Sequence, residues 1–389
     1  MRVLHLANSY FFAGRLLAGK LAGLQALGYL VEVAAPPPTG QAPSLPFPFH
    51  PLPMARSIRP RADLATLCSC VKLLRSGRYD AVHTHSSKAG LIGRAAARIC
   101  GVPCLHSVHG LPFYQGQNPF AYALFRQLEL FAGHRTDLLL TQNREEQRLL
   151  RALLPGHESR ILYEGNGLDL SLAGAFAKRR SSARKALGLL PTDVALAFFC
   201  RTEPVKRPLD FLRAFEQAHR QNPALKAILA GADLGRGARC AREFGRALQA
   251  SPAKAAIRCL GFLTEPLAVL CGCDAAVLTS EKEGLPRILM EAMALGLPCA
   301  ATDVTGTREL VSHGTRGLLS PLGDTGALAK HLLLLANDPA LRQRLGQNAH
   351  AYAQQELDER LVIDRIARAY DLLMELTQTK ALAMTDWEV

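Results

Sequence analysis

The sequence lacks the features that mark several large classes of protein. No apolar run approaches the roughly 20 residues that a membrane-spanning helix needs. Polar side chains occur too early for a secretory signal, so the first residues are better interpreted as a buried strand. The ten cysteines form no Cys-x-x-Cys pair, which disfavours zinc knuckles and favours reduced thiols in the core. We therefore expect a cytoplasmic protein that at most rests on a membrane surface.

Length and charge narrow the remaining possibilities. At 389 residues, 49% of them hydrophobic, the chain exceeds one compact core and can fill two. Basic residues outnumber acidic ones by 18 to 10 in residues 1–172 and by 28 to 23 after them. This basic surplus favours a binding partner that carries phosphates, or an anionic membrane. Nucleic acid is a weaker candidate, because no nucleic-acid-binding module is recognised. The alternative is a basic surface that only contacts solvent. The densest stretch of the surplus contains Arg56, Arg59, Arg61, Lys72, Arg75 and Arg78.

Short apolar runs alternate with amphipathic stretches along the whole chain. Strands are predicted at 2–7, 31–35, 81–84, 104–109, 138–141, 195–200, 227–230, 275–279 and 299–302, and helical stretches at 16–27, 89–100 and 208–220. This alternation predicts an α/β protein of two facing, doubly wound Rossmann-like domains, with a ligand in the crevice beyond the strand carboxyl ends.

The domain boundaries follow from a break in this alternation. The apolar pattern is interrupted within 172–191, which predicts domains at 1–172 and 173–360. A late amphipathic helix spans 359–376, and we expect the segment 361–389 to pack back on the first domain. Its predicted apolar stripe contains Leu361, Ile363, Ile366, Ala369, Leu372 and Leu373.

Charged residues follow two predicted strands of the second half. Arg201 and Lys206 come after one strand, where two fixed cations suit a diphosphate. Glu283 lies just before a helix that Pro286 would begin, and Glu291 lies more than a turn inside it, so each carboxylate could hold a pair of sugar hydroxyls. The alternatives are surface salt bridges for the cations and a helix-dipole contact for Glu283.

The segment GRLLAGKL at 14–21 has the spacing of a phosphate-binding P-loop. Its last residue is Leu21, where magnesium coordination requires a Ser or Thr hydroxyl. We therefore interpret Gly14 as a point where the backbone can approach an anionic ligand at the start of a helix.

A set of motifs along the chain carries a family resemblance. Its members are VHTHSSKAGLIGR at 82–94, HSVHGLPF at 106–113, NGLD at 166–169, EGLPRILMEAMALGLP at 283–298 and TREL at 307–310. With Arg201 and Lys206, these motifs resemble the retaining glycosyltransferases of family 4, which have the GT-B fold. The first two are similar to bacterial members that build capsule, exopolysaccharide or lipid-linked glycans on polyprenyl diphosphate carriers.

The resemblance implies a set of donor-binding residues. They are Gly14, Arg201, Lys206, Glu283, Gly284, Leu285 and Glu291. Arg201 and Lys206 would bind the donor diphosphate, Glu283 the sugar hydroxyls and Glu291 the ribose diol. The sequence departs from the family at Ala13-Gly14, where two glycines are usual, and at Cys200-Arg201, where Gly-Arg is usual. The first departure weakens the assignment of Gly14.

The resemblance also assigns residues of the first half. His109 would contact the donor sugar near the reaction centre, although as a core histidine it would be unremarkable. We also expect His85 and Lys88 to lie on the acceptor side, with Lys88 near the acceptor phosphates. The implied catalytic residues are thus His109, Arg201, Lys206 and Glu283.

The predicted function is transfer of a sugar, with retention, from a nucleotide-diphosphate sugar, with UDP as the expected nucleotide. Neither a cofactor nor a metal is expected, because cations and a helix N-terminus can neutralise the leaving diphosphate and no Asp-x-Asp pair suggests a metal. Expected partners are a polyprenyl-diphosphate-linked or glycan acceptor and the anionic inner face of the cell membrane, with no nucleic acid. The alternatives are a sugar-nucleotide 2-epimerase of similar architecture and a non-catalytic protein that binds anions or nucleic acid.

Overall fold

The chain folds into two compact units. The structure, a computed structural model, describes residues 1–38, 44–55, 57–231 and 239–385, with side chains up to residue 379. One unit comprises Met1–Asn166 and Glu359–Val389, and the other comprises Gly167–Asp358. The sequence places these boundaries at 172 and 360. The whole of segment 172–191, where the apolar pattern is interrupted, belongs to the second unit, and within it the guanidinium of Arg184 lies 2.9 Å from the Asp274 carboxylate.

The first unit is built on a parallel sheet of seven strands. They are β1 (Arg2–Leu6), β2 (Leu30–Ala35), β3 (Phe49–Pro51), β4 (Ala81–His85), β5 (Cys104–Val108), β6 (Leu138–Thr141) and β7 (Ile161–Tyr163). Their order is β3-β2-β1-β4-β5-β6-β7, and Val3 pairs with Val31 on β2 and with Ala81 on β4. The order reverses at β1 and β4, and doubly wound sheets bind ligands beyond the strand ends at such a reversal.

The second unit repeats this plan with six parallel strands. They are β8 (Val194–Phe199), β9 (Leu225–Ala230), β10 (Ile257–Cys259), β11 (Ala275–Leu278), β12 (Cys299–Thr302) and β13 (Gly317–Ser320), in the order β10-β9-β8-β11-β12-β13. Here the order reverses at β8 and β11. The nine predicted strands are confirmed within one or two residues at each end. The four that the sequence does not predict (β3, β7, β10 and β13) are three or four residues long and form the edges of the two sheets.

The described helices separate the strands. They are α1 (Tyr10–Phe12), α2 (Ala18–Ala26), α3 (Pro60–Gly77), α4 (Ser87–Cys100), α5 (Pro119–Gly133), α6 (Arg144–Leu153), α7 (Leu170–Ala177), α8 (Arg180–Ala186), α9 (Pro208–Gln221), α10 (Arg239–Ala250), α11 (Pro266–Leu270), α12 (Arg287–Ala294), α13 (Thr307–Leu310), α14 (Thr325–Asn337), α15 (Pro339–Glu356) and α16 (Glu359–Thr385). A π-helical turn, Ala13–Leu17, joins α1 to α2, and 3-10 turns cover Glu158–Arg160, Pro204–Lys206 and Lys254–Ala256. Among the described helices, none combines the length and the apolar character that crossing a bilayer requires.

The last helix completes the core of the first unit. Val362, Ile366, Tyr370 and Leu373 of α16 are buried against the sheet and α2. A Cβ added at Gly23 of α2 would lie 2.2 Å from Ile363 Cδ1, so the glycine lets the two helices approach closely. The predicted return of this helix to the first domain is confirmed. One member of the predicted stripe is wrong, since Leu361 is exposed and Val362 takes the buried position.

The cysteines are distributed between the core and the surface. All ten are free thiols: five are buried, three are partly buried, and Cys68 and Cys259 are exposed. The predicted core location is therefore wrong for these two. Burial raises the pKa of the Cys104, Cys200 and Cys299 thiols to about 12. These three sulfurs behave as small apolar groups in the core.

Candidate active site

The loops that follow β8 and β11 form one charged surface in the second unit. The Thr279 hydroxyl at the end of β11 donates to the carbonyl oxygens of Lys206, at 2.9 Å, and Arg207, at 3.0 Å. The N–H of Glu281 donates to the carbonyl of Val205 at 2.9 Å. These bonds fasten the loop that carries the predicted diphosphate ligands to the loop that carries Glu283, at the reversal of the strand order.

Lys206 and Glu283 form an ion pair at this surface. The ammonium of Lys206 lies 2.6 Å from Glu283 Oε1, and the two side chains are only 19% and 11% exposed. Arg201 is placed differently, because its side chain is 66% exposed and its guanidinium lies 2.9 Å from Glu203 Oε1. Of the two predicted diphosphate ligands, Lys206 is therefore sheltered and Arg201 reaches into solvent.

The helix that follows Glu283 carries the second predicted carboxylate. Helix α12 begins at Arg287, and Pro286 occupies the N-cap with ψ near 114°, so the prediction that Pro286 begins the helix is wrong by one residue. Glu291 lies in the second turn and is 6% exposed. Its Oε1 accepts a hydrogen bond from Arg287 Nε at 2.8 Å, which supplies a buried carboxylate with a charged partner.

The turn at Gly284 and Leu285 is shaped by a close backbone contact. Gly306 has φ near +84°, and a Cβ there would lie 2.1 Å from the Gly284 carbonyl oxygen and 2.8 Å from that of Glu283. Only glycine fits this position without displacing the turn. Leu285 itself is buried in the apolar core of the unit. The backbone amides of these two residues thus belong to a tightly held segment.

Two hydroxyls near these loops have no hydrogen-bond partner among the described residues. They are Thr202 Oγ1, in the loop after β8, and Ser280 Oγ, in the loop after β11, and both atoms are buried. Buried polar atoms in folded proteins are nearly always hydrogen-bonded. These hydroxyls therefore mark an unsatisfied polar position in each of the two loops that carry Lys206 and Glu283.

In the first unit, Gly14 lies inside a helix and not at its start. Ser9 caps the helical segment by accepting a hydrogen bond from the N–H of Phe12 at 3.1 Å, so the segment begins before Gly14. Gly14 belongs to the π-helical turn, and a Cβ there would lie 3.2 Å from Leu45 Cδ2. The predicted helix start at residue 16 and the placement of Gly14 at a helix start are therefore wrong. The approach of an anionic ligand to the Gly14 backbone stays a prediction.

His85 and His109 lie together in a polar cluster at the carboxyl ends of β4 and β5. His85 Nδ1 is 3.2 Å from His109 Nε2, and His85 Nε2 is 3.1 Å from His5 Nδ1. Among the described residues, the ring nitrogens of His5, His83 and His85 also form a group within 4.8 Å of one another. Three imidazoles at this spacing can serve as metal ligands, whereas the sequence predicts no metal site.

Burial governs the protonation of these histidines. Desolvation lowers the pKa of His5 to about 3, and desolvation together with the charge of Lys20 lowers the pKa of His109 to about 3. The pKa values of His83 and His85 lie well below the usual value for the same reason, with neighbouring histidines adding to the effect. These imidazoles are neutral at physiological pH.

Two charged residues of this cluster are absent from the predicted site. Lys20 of α2 is 3% exposed, and Glu164, just after β7, is 2% exposed. Burial raises the pKa of the Glu164 carboxyl, while Lys20, Ser107 and Gln142 oppose the increase. A polar residue directly after an apolar strand is the available sequence signal, but β7 is too short to be recognised.

Lys88 holds a neighbouring loop in place. Its ammonium donates to the carbonyl oxygens of Ala55, at 2.7 Å, and Ser57, at 2.6 Å, and pairs with the Asp63 carboxylate at 2.5 Å. These three oxygens account for the three donors of an ammonium group. A role of Lys88 toward acceptor phosphates stays a prediction.

Comparison with known families covers most of the chain. Residues 180–352 match the family model of the glycosyl transferases of group 1. Residues 13–167 match the model of the glycosyl transferase 4-like domain. The two matches fall on the second and the first unit respectively.

Individual relatives extend this similarity. The chain is 30% identical over 292 residues to an Escherichia coli UDP-Gal:alpha-D-GlcNAc-diphosphoundecaprenol alpha-1,3-galactosyltransferase, with 74% of each chain covered. It is 22% identical to the capsular polysaccharide biosynthesis glycosyltransferase CapM of Staphylococcus aureus, over 85% of this chain and 87% of CapM. The crystal structure of Anabaena HepE in complex with UDP-glucose superposes with a TM-score of 0.77 at 20% identity, over 95% of this chain and 99% of HepE.

Proposed function

Because the chain belongs to the group 1 glycosyl transferases with a 4-like N-terminal domain, and has their GT-B fold, we propose that it transfers a sugar, with retention, from a UDP-sugar to a polyprenyl-diphosphate-linked or glycan acceptor. The observation that carries the proposal is the Lys206–Glu283 pair at the strand reversal of the second unit. There a sheltered cation and a sheltered carboxylate lie side by side. The cation suits a diphosphate and the carboxylate suits sugar hydroxyls.

The donor side of the proposal rests on charge. Cleavage of a sugar–phosphate bond leaves a nucleoside diphosphate with added negative charge, which preorganised cations stabilise. Lys206 would bind this diphosphate as a point charge and Arg201 as a bidentate donor. The buried hydroxyls of Thr202 and Ser280 would then find their missing hydrogen-bond partners on the donor.

The two carboxylates would divide the rest of the donor. When Lys206 turns to the diphosphate, the oxygens of Glu283 become available to the sugar hydroxyls. Glu291, held by Arg287, would accept from the ribose diol. In this scheme Glu283 positions the sugar. The acceptor hydroxyl attacks the sugar on the face that the leaving phosphate vacates, so the anomeric configuration is retained. No metal takes part in the scheme. A covalent carboxylate intermediate is the alternative route to retention.

The nucleotide and the acceptor are proposed from the relatives. HepE has been crystallised with UDP-glucose, and the Escherichia coli relative is named for UDP-Gal and for an acceptor linked to diphosphoundecaprenol. CapM is named for capsular polysaccharide synthesis. By this similarity, a UDP-sugar and a lipid-linked glycan are the substrates to test first.

A lipid carrier requires the enzyme to approach a membrane, and one helix layer of the first unit has a suitable surface. Five residues of the basic stretch, Arg59, Arg61, Lys72, Arg75 and Arg78, are exposed; the sixth, Arg56, lies outside the described residues. Ile58 and Leu64 are 68% and 61% exposed among them. Basic side chains interspersed with exposed apolar ones are typical of helices that lie in a membrane interface.

Helix α5 adds an apolar stripe to the same layer. Phe120, Leu124, Leu128 and Phe131, which recur at helical spacing, are between 36% and 78% exposed. Helix α4 contacts both α3 and α5, so the basic and apolar surfaces belong to one layer. We therefore propose peripheral binding to the anionic inner face of the cell membrane through this layer.

A transfer assay tests the proposed function against its alternatives. The protein is incubated with UDP-sugars, with and without a polyprenyl-diphosphate-linked sugar, and both the nucleotide sugar and the lipid are analysed. We expect a lengthened lipid-linked glycan, with the anomeric configuration of the donor, only when acceptor is present. An epimerised nucleotide sugar without acceptor would favour the epimerase, and the absence of any UDP-dependent increase in Tm would favour a non-catalytic anion-binding protein.

A further inference from the structure

A closed ring of hydrogen bonds runs through eight side chains of the first unit. Seven of them are buried and His109 is partly exposed. The ring passes through Gln142, His109, His85, His5, Tyr370, His83, Ser107 and Glu164, in that order. It connects the carboxyl ends of five strands with helix α16.

The first half of the ring consists mainly of imidazoles. The amide nitrogen of Gln142 lies 2.9 Å from His109 Nδ1. His109 Nε2 lies 3.2 Å from His85 Nδ1, and His85 Nε2 lies 3.1 Å from His5 Nδ1. His5 Nε2 is 3.3 Å from the Tyr370 hydroxyl.

The second half returns to the starting amide through a carboxylate. The Tyr370 hydroxyl lies 2.8 Å from His83 Nδ1, and His83 Nε2 lies 2.8 Å from Ser107 Oγ. The Ser107 hydroxyl donates to Glu164 Oε2 at 2.6 Å. Glu164 also accepts a hydrogen bond from Gln142, which closes the ring.

The chemistry of the two terminal groups determines the direction of every bond. An amide nitrogen can only donate, so His109 Nδ1 is an acceptor and His109 Nε2 carries the hydrogen. A neutral imidazole donates from one nitrogen and accepts at the other, so His85 and His5 have the same tautomer. The donors therefore point one way, from Gln142 toward the Tyr370 hydroxyl.

The same direction continues to the carboxylate. The Tyr370 hydroxyl donates to His83, His83 Nε2 donates to Ser107, and Ser107 donates to Glu164, which when ionised can only accept. Each of the four histidines carries its hydrogen on Nε2. The seven bonds that lead from Gln142 through the histidines to Glu164 thus point the same way, and this is the arrangement that lets one proton pass by successive transfers. The closing bond, which Gln142 donates to Glu164, is not part of this path.

We propose that this ring is a proton relay that holds His109 in the Nε2–H tautomer and carries a proton from His109 to Glu164. The identity of the proton source rests on the proposed function: an acceptor hydroxyl loses one proton when its oxygen bonds to the transferred sugar. The tautomer assignment does not rest on that function.

The transfer balances without any further reactant. One proton binds His109 Nδ1 in place of the Gln142 hydrogen bond, and the Nε2 proton moves to His85. The same exchange repeats through His5, Tyr370 and His83. Ser107 receives the last imidazole proton and gives its own to Glu164 Oε2. One N–H or O–H bond forms and one breaks at each intermediate site, and only the carboxylate changes its net protonation.

Burial favours this end point, because it disfavours a charged imidazole and a charged carboxylate alike, whereas the Lys20 charge opposes protonation of both. Lys20 faces the cluster from α2 and opposes a positive charge on His83, His85 or His109. His106, which lies across the sheet, is also held neutral by burial. On α16, Arg365 Nη1 lies 3.4 Å from the Glu164 carbonyl oxygen. A proton is thus least stable on the imidazoles and most stable on the carboxylate, whose pKa burial raises.

The same histidines could be considered as metal ligands. Every ring nitrogen of His5, His83 and His85 already has a hydrogen-bond partner within the ring. A bound cation would have to displace at least three of these bonds and would lie close to the Lys20 charge. The geometry therefore favours the relay.

Nuclear magnetic resonance of the full chain, labelled with 15N in histidine, tests the tautomers without any substrate. We expect His5, His83, His85 and His109 to be neutral and protonated on Nε2 between pH 6 and 8. A hydrogen on Nδ1 of any of the four would overturn the proposal. Collapse of these signals on addition of zinc alone, with an increase in Tm, would also overturn it in favour of a metal site.

Kinetics then test proton transfer. Tyr370→Phe and Ser107→Ala each remove one hydroxyl from the ring, and Glu164→Gln keeps an acceptor but removes the proton-binding carboxylate. Tyr29→Phe is the matched control, because the Tyr29 ring packs 5.2 Å from Tyr370 and lies outside the ring of hydrogen bonds. We expect kcat to fall roughly 10²-fold in each of the three variants with KM retained, and the control to be normal.

The double variant separates a relay from a structural network. A relay that is broken once cannot be broken further, so Tyr370→Phe with Ser107→Ala should be no slower than either single variant and should share its pH profile. Additive losses, or unchanged pH profiles, would contradict the relay while leaving the transfer function intact. A wild type that transfers no sugar would contradict the function, while the tautomer experiment would still decide the relay.

Discussion

Lys206 and Glu283 are 77 residues apart in the sequence, yet the ammonium of one lies 2.6 Å from the carboxylate of the other. The pair joins the loops after β8 and β11 at the strand reversal of the second unit. Because both side chains are largely shielded from water, neither can change partner without a consequence for the other. A diphosphate that binds Lys206 would release Glu283 for the sugar.

Replacement of the two predicted diphosphate ligands should separate activity from stability. Lys206→Ala and Arg201→Ala should each lower kcat by roughly 10²–10³-fold, the usual effect of losing a preorganised charge. Lys206→Ala should also cost about 1–3 kcal/mol of unfolding free energy, because it leaves a sheltered carboxylate unpaired. Arg201→Ala should leave stability nearly unchanged, since its pair is exposed. Enzyme assays measure the effect on kcat and urea denaturation measures the effect on stability. Near-normal rates in these variants would exclude Lys206 and Arg201 as diphosphate ligands.

Gly306 offers a test of the turn that carries Glu283. Gly306→Ala should reduce both stability and transfer, because its Cβ would collide with the Gly284 carbonyl oxygen. Gly314→Ala is the matched control: its φ near +75° is also positive, but no atom lies within 4 Å of the added Cβ. The unfolding free energy of this control should fall by about 1 kcal/mol because of backbone strain, and its transfer activity should be unchanged. Equal activity in the two variants would mean that the turn does not matter.

The sequence predicts most of the fold because its signals are local. Nine strands are recognisable from apolar runs, and the strand–helix alternation gives the two parallel sheets. The four missed strands lie at sheet edges, where burial is partial and the apolar signal is weak. The start of the first helix shows a different error: Gly14 is predicted at the helix start, whereas the helical segment begins at Tyr10 and contains Gly14 in a π-helical turn.

The candidate site is predictable only in part. Lys206 and Glu283 follow recognisable strands, so their proximity is expected from parallel-sheet geometry. The ring through His109 is not predictable in this way, because Tyr370 comes from the last helix and Glu164 follows an edge strand. Register and helix packing bring them together, and neither is encoded in a short motif.

Acid should unfold the first unit. His5, His83, His85, His106 and His109 each bind a proton near pH 6.5 when unfolded, but in the folded chain their pKa values are lowered by burial. Burial of the neutral imidazoles therefore leaves the free energy of unfolding undiminished above pH 6.5, and this free energy falls as the pH falls below 6.5. The loss is up to about 1.4 kcal/mol for each histidine and each pH unit. The raised pKa of Glu164 offsets a small part of this loss.

Urea denaturation at pH 7.5 and pH 5.5 measures the effect, with limited proteolysis to identify the unit that opens. We expect several kcal/mol less unfolding free energy at pH 5.5 and cleavage within residues 1–166. His134→Gln, at an exposed histidine, should leave the pH dependence unchanged. Equal stability at the two pH values would show that these histidines are not buried in neutral form.

Binding to anionic vesicles tests the proposed membrane surface. Wild type should sediment with vesicles that contain anionic lipid and should dissociate as salt increases, because each basic residue near the surface contributes about 1 kcal/mol that salt screens. Glu substitutions at Arg59, Arg61 and Arg75 together should abolish this binding.

A second triple variant controls for net charge. Glu at Arg213, Arg220 and Arg344 changes the charge equally but lies in the second unit, and it should bind vesicles like wild type. Ser substitutions at Phe120 and Phe131 should weaken the salt-resistant part of binding. A wild type that ignores anionic vesicles at low salt would indicate a solvated basic surface and a soluble acceptor.

Calorimetric titration of UDP into four proteins tests the central claim, that the second unit binds a nucleoside diphosphate through Lys206 and its ribose through Glu291. Lys206→Ala should raise Kd about 10–100-fold through loss of a charge-assisted contact, and Glu291→Gln should raise it about tenfold. Glu283→Gln should bind UDP as tightly as wild type or more tightly, because it frees Lys206 and lacks only a contact with the sugar. If wild type does not bind UDP, or if Glu283→Gln loses UDP affinity as severely as Glu291→Gln, the account of the donor site is contradicted.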